Sequence, residues 1–347
     1  MKIIRGNDAP LASVLEFCRT VYGPHAHQAK PAYYQWAYDE NPNCPEGRES
    51  LVIACDEDGR VVGTMNRLLM EWEVKGERMV IPALGDFAVE TEHRKGGLGL
   101  RMALSSTKGL EHAFVNGSNP HSSPLFRALK YQELQGGRWF REVLNPVRAS
   151  IRYLWHRLGG STHQTNLLLA QHAIEGYHVS ESPDQRLLTG LATLLNSAPA
   201  AVKLHWTADS VHWRFFHPIG PRHIVFYTSD GAGTPADAMF ISVGQRRGLT
   251  VCRLIAHQCS GSAAFAPLLR VAKDLLRRSG TDVFMAFSFN ANEANDLMAV
   301  GMREQENPPA TFFHHRRQAN TMAPDEVLVQ GAASDLGMEA MPGITPR

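Results

Sequence analysis

VETEHRKGGLGLRMAL, residues 89–104, gathers Arg94, Lys95 and the glycines Gly96, Gly97 and Gly99 directly ahead of an amphipathic run. Leu100, Ala103, Leu104, Thr107 and Leu110 recur at the helical period, which predicts a helix over 98–111. A helix N-terminus presents backbone N–H groups without intrahelical acceptors, at the positive end of the dipole. Glycines let the main chain approach an anion closely, and an arginine can grip phosphate oxygens in a bidentate way. The stretch is therefore expected to hold a pyrophosphate. A plain glycine turn with a solvated Arg-Lys pair is the alternative that the spacing alone leaves open.

The elements around the loop narrow the choice. Residues 10–22 place Leu11, Val14, Leu15, Cys18 and Val21 at helical spacing. LVIAC (51–55), the run after the Asp58-Gly59 turn signal, and RMVIPALGDFAVE (78–90) read as three antiparallel strands. After the expected helix come a short strand, HAFVNGS, and a second helix over 123–131. A dinucleotide-binding fold would need a parallel βαβ unit around the glycines, and an antiparallel meander does not supply one. The pattern predicts an α+β layer with helices crossing a mixed sheet.

The second half repeats the first faintly. YYQWAYDENP (33–42) has a counterpart in SVHWRFFHPIGP (210–221), IVFYTSDGAG (224–233) echoes LVIACDEDGR, and APLLRVAKDLLRRSG (266–280) takes the place of the loop helix. Similar spacing in the two halves argues for duplication. The loop itself is not repeated: HQCSGSAAFAPLL has a lone Gly261 and no arginine, so an anion site belongs to the first half.

LGDFAVETEHRKGGLGLRMAL and VNGSNPHSSPLFRALKYQE resemble the GCN5-related N-acetyltransferase (GNAT) superfamily: its fourth strand, its Arg/Gln-x-x-Gly-x-Gly/Ala loop, and the strand and helix that follow. The resemblance covers residues 1–142, and 165–316 look like a degenerate second copy. It implies two GNAT-like domains, each a mixed, mostly antiparallel sheet flanked by helices: 1–142 with the acyl-CoA loop, 143–164 a basic linker helix and loop, 165–317 the degenerate copy, and 318–347 a flexible tail. It further implies that Phe87, Ala88 and Val89 bind the pantetheine arm and thioester through their backbone. Arg94, Lys95, Gly96, Gly97, Leu98 and Gly99 would bind the pyrophosphate, and Asn119 and Phe126 would reach the cofactor. The expected reaction moves an acyl group, expected to be acetyl, from acyl-CoA to the amine of a small molecule by direct attack. Asp86 or, alternatively, Glu90 would take the amine proton. The tyrosine that often protonates the leaving thiolate in the family falls at Phe126. Ser122, Ser123 or His121 could replace it, or the thiolate leaves unaided, or the protein binds acyl-CoA without turnover as a sensor or scaffold. An acyl carrier protein as donor is a further alternative.

Bulk properties exclude other classes. The 347 residues are 44% hydrophobic and 20% charged, with a net charge of +1, so no whole-chain attraction to nucleic acid follows. Five scattered cysteines without a CxxC pair, an N-terminus interrupted by Asp8 and Pro10, and no membrane-length apolar run lead to the expectation of a cytoplasmic protein. His25/His27 and His314/His315 are pairs, too few ligands for a metal site. RWFREVLNPVRASIRYLWHRL (138–158) is expected to be a linker helix with a solvated basic side and an aromatic side packed on a domain; contact with nucleic acid or a membrane face is its alternative. Trp36 and Trp213 are expected in the core or between the domains.

Overall fold

The computed structural model describes residues 1–160, 174–306, 308–315 and 326–334. The first half contains β1 (Lys2–Arg5), α1 (Leu11–Tyr22), α2 (Pro31–Tyr34), β2 (Val52–Cys55), β3 (Val61–Val74), β4 (Glu77–Val89), α3 (Leu98–Thr107), β5 (His112–Ser118), α4 (Ser123–Ala128) and β6 (Gln132–Leu134). It continues into β7 (Arg138–Val143) and α5 (Pro146–Arg157). The second half contains β8 (His178–Ser180), α6 (Gln185–Asn196), β9 (Val202–Leu204), α7 (Ala208–Val211), β10 (His223–Ser229), β11 (Pro235–Arg246), β12 (Leu249–Gln258), α8 (Ser262–Arg278), β13 (Val283–Ser288), α9 (Ala291–Ala299), β14 (Arg303–Glu304) and β15 (Ala310–His315).

These strands form two mixed sheets, in the orders β1-β2-β3-β4-β5-β15-β6 and β14-β7-β13-β12-β11-β10-β8, with β9 added on β3. The expected meander is β2, β3 and β4. Its long hairpin closes at Lys75 and Gly76, both at positive φ (52° and 86°), the twist that a two-residue hairpin turn requires. In each half a parallel pair, β4 with β5 and β12 with β13, brackets the long helix.

The duplication is visible in detail. Each half has a short helix that runs into a π-helical turn carrying a tryptophan, over Gln35–Asp39 and His212–Phe216. Trp36 and Trp213 stack with ring centroids 4.9 Å apart and planes 11° from parallel. Trp36 Nε1 donates to the Trp213 carbonyl (2.9 Å), and Trp213 Nε1 donates to the Trp36 carbonyl (2.7 Å). The pair sits on a local pseudo-two-fold axis between the halves, fully desolvated with both indole N–H groups satisfied.

Three expectations are corrected here. A boundary at residue 142 does not hold, because β7 leaves the first half and inserts between β13 and β14 of the second sheet. In return β15 inserts between β5 and β6 of the first sheet. Each sheet is completed by a strand of the other half. The tail expectation fails for residues 326–334: Val327 bridges to Val202, and Ala332 and Ser334 carbonyls accept from the buried Arg214 guanidinium (both 3.1 Å). The rest of the tail and most of the GGSTHQT linker lie outside the described residues. Finally, the basic linker segment begins as a strand, and its helix α5 has the reverse of the expected orientation. Arg148 and Arg152 are turned inward, onto the fully buried Asp282 (2.8 and 2.9 Å), while its apolar side chains are exposed. A buried carboxylate must be paired, and two guanidiniums on α5 supply that pairing.

Candidate functional site

β4 and β5 pair in parallel at Ala83 and Phe114. Beyond that point they part around a cavity of about 700 Å³, lined by residues 84–87 on one strand and 115–119 on the other. Met65, Val115 and Phe126 add apolar wall from the first half; Trp139, Arg246, Arg253 and Met285 close it from the second sheet. The second half thus supplies both apolar and cationic surface to this cavity. Arg253 is buried near Arg246, and burial with that like charge pushes its pKa down to about 10.

A bulge in β4 sets the chemistry. The β3–β4 register passes from Thr64↔Ala88 to Asn66↔Gly85, so Asp86 and Phe87 together face Met65. Asp86 takes φ +44°, a left-handed conformation that Asp tolerates better than most residues. The bulge turns its carboxylate into a ring of donors from three segments. Tyr33 Oη donates to Oδ2 (2.9 Å), Asn66 Nδ2 to Oδ2 (2.8 Å) and Gln28 Nε2 to Oδ1, while His27 Nε2 lies 3.4 Å from Oδ2. Burial pushes the Asp86 carboxyl up, but His27 and these hydrogen bonds outweigh it, and its pKa lies below the ordinary carboxylate value. Because Nε2 of His27 faces Asp86, the tautomer with its proton on Nε2 has the Nδ1 lone pair as the acceptor. His27 and Asp86 both line the cavity.

The loop follows directly from this strand. Thr91–Gly96 makes a 3-10 turn, Gly97 takes φ +69°, and α3 starts at Leu98 with no side chain capping its first turn. Its leading N–H groups therefore lack intrahelical acceptors. Gly97 is required by its left-handed backbone; a Cβ on Gly99 would fall 3.3 Å from the Phe87 ring, so that glycine lets the helix start close to the strand. Phe87 lines the cavity and touches the helix start, joining the two. Arg94 Nε donates to the Val89 carbonyl (2.9 Å), Lys95 is exposed, and Leu98 is buried as an anchor.

Other expected site residues fall differently. Ala88 and Val89 are core residues, and the Val89 carbonyl is taken by Arg94. Glu90 is not in the cavity wall: both its oxygens accept from Arg60 (2.6 and 2.9 Å), a structural clamp on the β2–β3 turn. Asn119 and Ser122 line the cavity but are engaged locally. The Asn119 Oδ1 accepts from the backbone N–H of His121 and Ser122 (2.9 and 3.0 Å), and Ser122 Oγ lies 2.8 Å from Ser118 Oγ. Phe126 is buried against Tyr131 and Phe312, so no hydroxyl stands at that position of the wall. Sequence reasoning missed His27 as a site residue, and missed Gln28, Tyr33 and Asn66 altogether. The one available signal was the dense polar run HAHQAKPAYY at 25–34, ahead of a buried aromatic turn.

A second cavity of about 580 Å³ occupies the matching place in the second half, beside the start of α8. Residues 327–331 form part of its wall, with Gln330 Nε2 donating to the His257 carbonyl (2.6 Å).

Comparison with known proteins agrees with this geometry at the level of fold. No family model and no curated protein matches the sequence. Among solved structures, the N-myristoyltransferase of Saccharomyces cerevisiae with bound myristoyl-CoA aligns over 91% of this chain and 79% of its own, at a TM-score of 0.61 and 11% identity. A GCN5-related N-acetyltransferase from Anabaena variabilis aligns over 90% and 72% (TM-score 0.56, 9% identity). One from Kribbella flavida aligns over 90% and 70% (TM-score 0.52, 16% identity). The chain has the GNAT-type fold, in two copies.

Proposed function

We propose that this protein is an acyl-CoA-dependent N-acyltransferase acting on the amine of a small molecule. The observation that carries the reading is one continuous strand, β4, that ends in an uncapped glycine-rich helix start and carries, at its bulge, a carboxylate–histidine pair facing a cavity. The pyrophosphate sits at the start of α3, with Gly97 and Gly99 allowing close approach and Arg94 and Lys95 adding charge. The pantetheine arm runs between β4 and β5, and the thioester carbonyl meets the amine in the cavity.

His27 is the base in this scheme, and Asp86 is its positioning partner. Asp86 is stabilised as an anion by its donors and is a weak proton acceptor for that reason. His27 Nδ1 takes a proton from the ammonium; the amine then attacks the thioester carbon, and Asp86 stabilises the imidazolium that forms. The tetrahedral intermediate gives up the second proton of its amine nitrogen to water and collapses with loss of the CoA thiolate, which accepts the first proton from the imidazolium. No hydroxyl is needed at Phe126. The donor's acyl length is open to more than acetyl, because the cavity has the apolar side chains of Met65, Val115, Trp139 and Met285 along its walls.

Melting temperature with acetyl-CoA and myristoyl-CoA tests the donor, because a ligand of the native state raises stability by linkage. A rise in the wild-type protein that is lost in Arg94→Glu/Gly97→Asp is the expected result. No rise with either thioester overturns the CoA assignment. A rise without thiol release across an amine panel overturns catalysis and leaves a binding protein.

A further inference from the structure

Helix α5 is mounted with its charged side inward. Besides the Arg148 and Arg152 pairs to Asp282, Asn145 Nδ2 donates to the Thr281 carbonyl (2.7 Å), and Ala149 is buried. At Gly248 a Cβ would fall 2.7 Å from His156 Cβ, so the β11–β12 turn packs directly under the helix. These contacts fix the rotation of α5. The opposite face carries Val147, Ile151, Leu154, Trp155 and Leu158, spaced as one helical stripe and each between 58% and 82% exposed. Val143 and Tyr153 lie exposed beside it. The Trp155 ring is held over Gly160, where no side chain could fit.

A stripe of this size on a soluble surface marks an interaction site. Its charge setting says which kind. Residues 146–158 include no acidic side chain, and Arg157 and the turn residue Arg247 are exposed at its margin. Pairing two such stripes across a two-fold axis would bring like charges together. An anionic lipid surface accepts both the apolar stripe and the flanking arginines, and an interfacial tryptophan suits its headgroup level.

We propose that α5 is an interfacial anchor that lays Val147, Ile151, Leu154, Trp155 and Leu158 into the surface of an anionic bilayer, with Arg157 and Arg247 at its phosphates. The turn that packs against α5 also supplies Arg246 to the wall of the first-half cavity. Docking therefore brings the cavity wall near the bilayer and favours an acyl donor or amine that partitions into lipid. The docking stands without the acyl-transfer reading; only this consequence rests on it.

The test is flotation of the full chain with phosphatidylcholine vesicles, without and with about 30% phosphatidylglycerol. The wild-type protein is expected to float only with the anionic vesicles, and less as salt rises. Ile151→Glu/Leu154→Glu, at two exposed positions, should lower partitioning by at least about tenfold with no change in Tm, and Arg157→Glu should lower it too. The proposal is overturned if the wild-type protein stays with neither vesicle, or if the double variant floats equally well. It is also overturned if, without lipid, sedimentation shows a wild-type dimer that the double variant breaks, since the stripe would then be a self-interface.

Discussion

Asp86→Asn separates a carboxylate that positions His27 from one that merely fills the bulge. Asparagine tolerates φ +44° about as well as aspartate, so the backbone at the bulge can stay as it is. The carboxylate accepts from Gln28, Tyr33, Asn66 and His27, whereas an amide offers one oxygen and one NH2. With the oxygen kept toward Gln28, the NH2 faces Tyr33, Asn66 and His27. Tyr33 can turn its hydroxyl and Asn66 can flip. His27 is then drawn to the tautomer with a bare Nε2, which places its proton on Nδ1 and removes the base. Loss of a positioned base costs about 10²–10⁴ in rate, and kcat/KM should fall in that range. Stability should fall by about 1–3 kcal/mol, because lost charge-assisted bonds are offset by no longer burying an anion. The depressed pKa of Asp86 means that its stabilisation is complete above the unfolded carboxyl value and is lost as pH falls through the lower folded value. The stability gap between wild type and variant should therefore close below about pH 4. Steady-state thiol release, together with urea melts from pH 3 to 8, reads both effects. The reasoning is refuted if Asp86→Asn retains kcat/KM within about threefold of wild type while its melting temperature still rises with acyl-CoA.

Other substitutions probe separate parts of the structure. His27→Ala should lower kcat by a similar factor and leave the thioester-induced rise in Tm intact; loss of that rise would place His27 in donor binding instead. Trp36→Ala should cost about 3–5 kcal/mol in urea unfolding, because it removes a buried indole, the stacking partner of Trp213 and the hydrogen bond from Trp36 Nε1 to the Trp213 carbonyl; a cost under about 1 kcal/mol would mean that the halves are held together elsewhere. Burial pushes the thiol pKa of Cys18 to about 11 and those of Cys252 and Cys259 to about 12, so a thiolate-selective reagent should label these positions slowly in the native chain and fully after denaturation, as mass spectrometry can follow.

What could be read from the sequence was local. The 3.6-residue period, the Lys75-Gly76 and Asp58-Gly59 turns and the glycine loop are short-range signals, and β2 to α4 lie where they point. The Trp36–Trp213 pairing was readable as a repeated spacing, and the structure brings those two rings face to face. The exchange of β7 and β15 was not readable. RWFREV alternates like many strands, and nothing in it names a partner 140 residues downstream over one that lies next to it. The orientation of α5 depends on Asp282, which is 130 residues from Arg152 in the chain. The His27 cluster draws on residues 27–33, 66 and 86, and depends on a bulge that strand patterning does not record. The sequence named Asp86 as a base on the fourth strand; the structure puts it in the cavity wall, and the role that its surroundings allow is set by donors that only the folded chain assembles.

The exchanged strands also bear on how such a chain is made. Asn116 of β5 hydrogen-bonds to Thr311 of β15 across 195 residues. At about 5–20 residues per second of synthesis, the first sheet waits roughly 10–40 s with a gap between β5 and β6 before its missing strand leaves the ribosome. During that interval both strand edges lie open to foreign strands, the usual beginning of aggregation. Neither half can be cut away, shuffled or inherited alone, because each would lack one strand and carry a surplus one. A cut between the halves leaves each sheet with a vacant strand position, so the two sheets are expected to mature as a single unit.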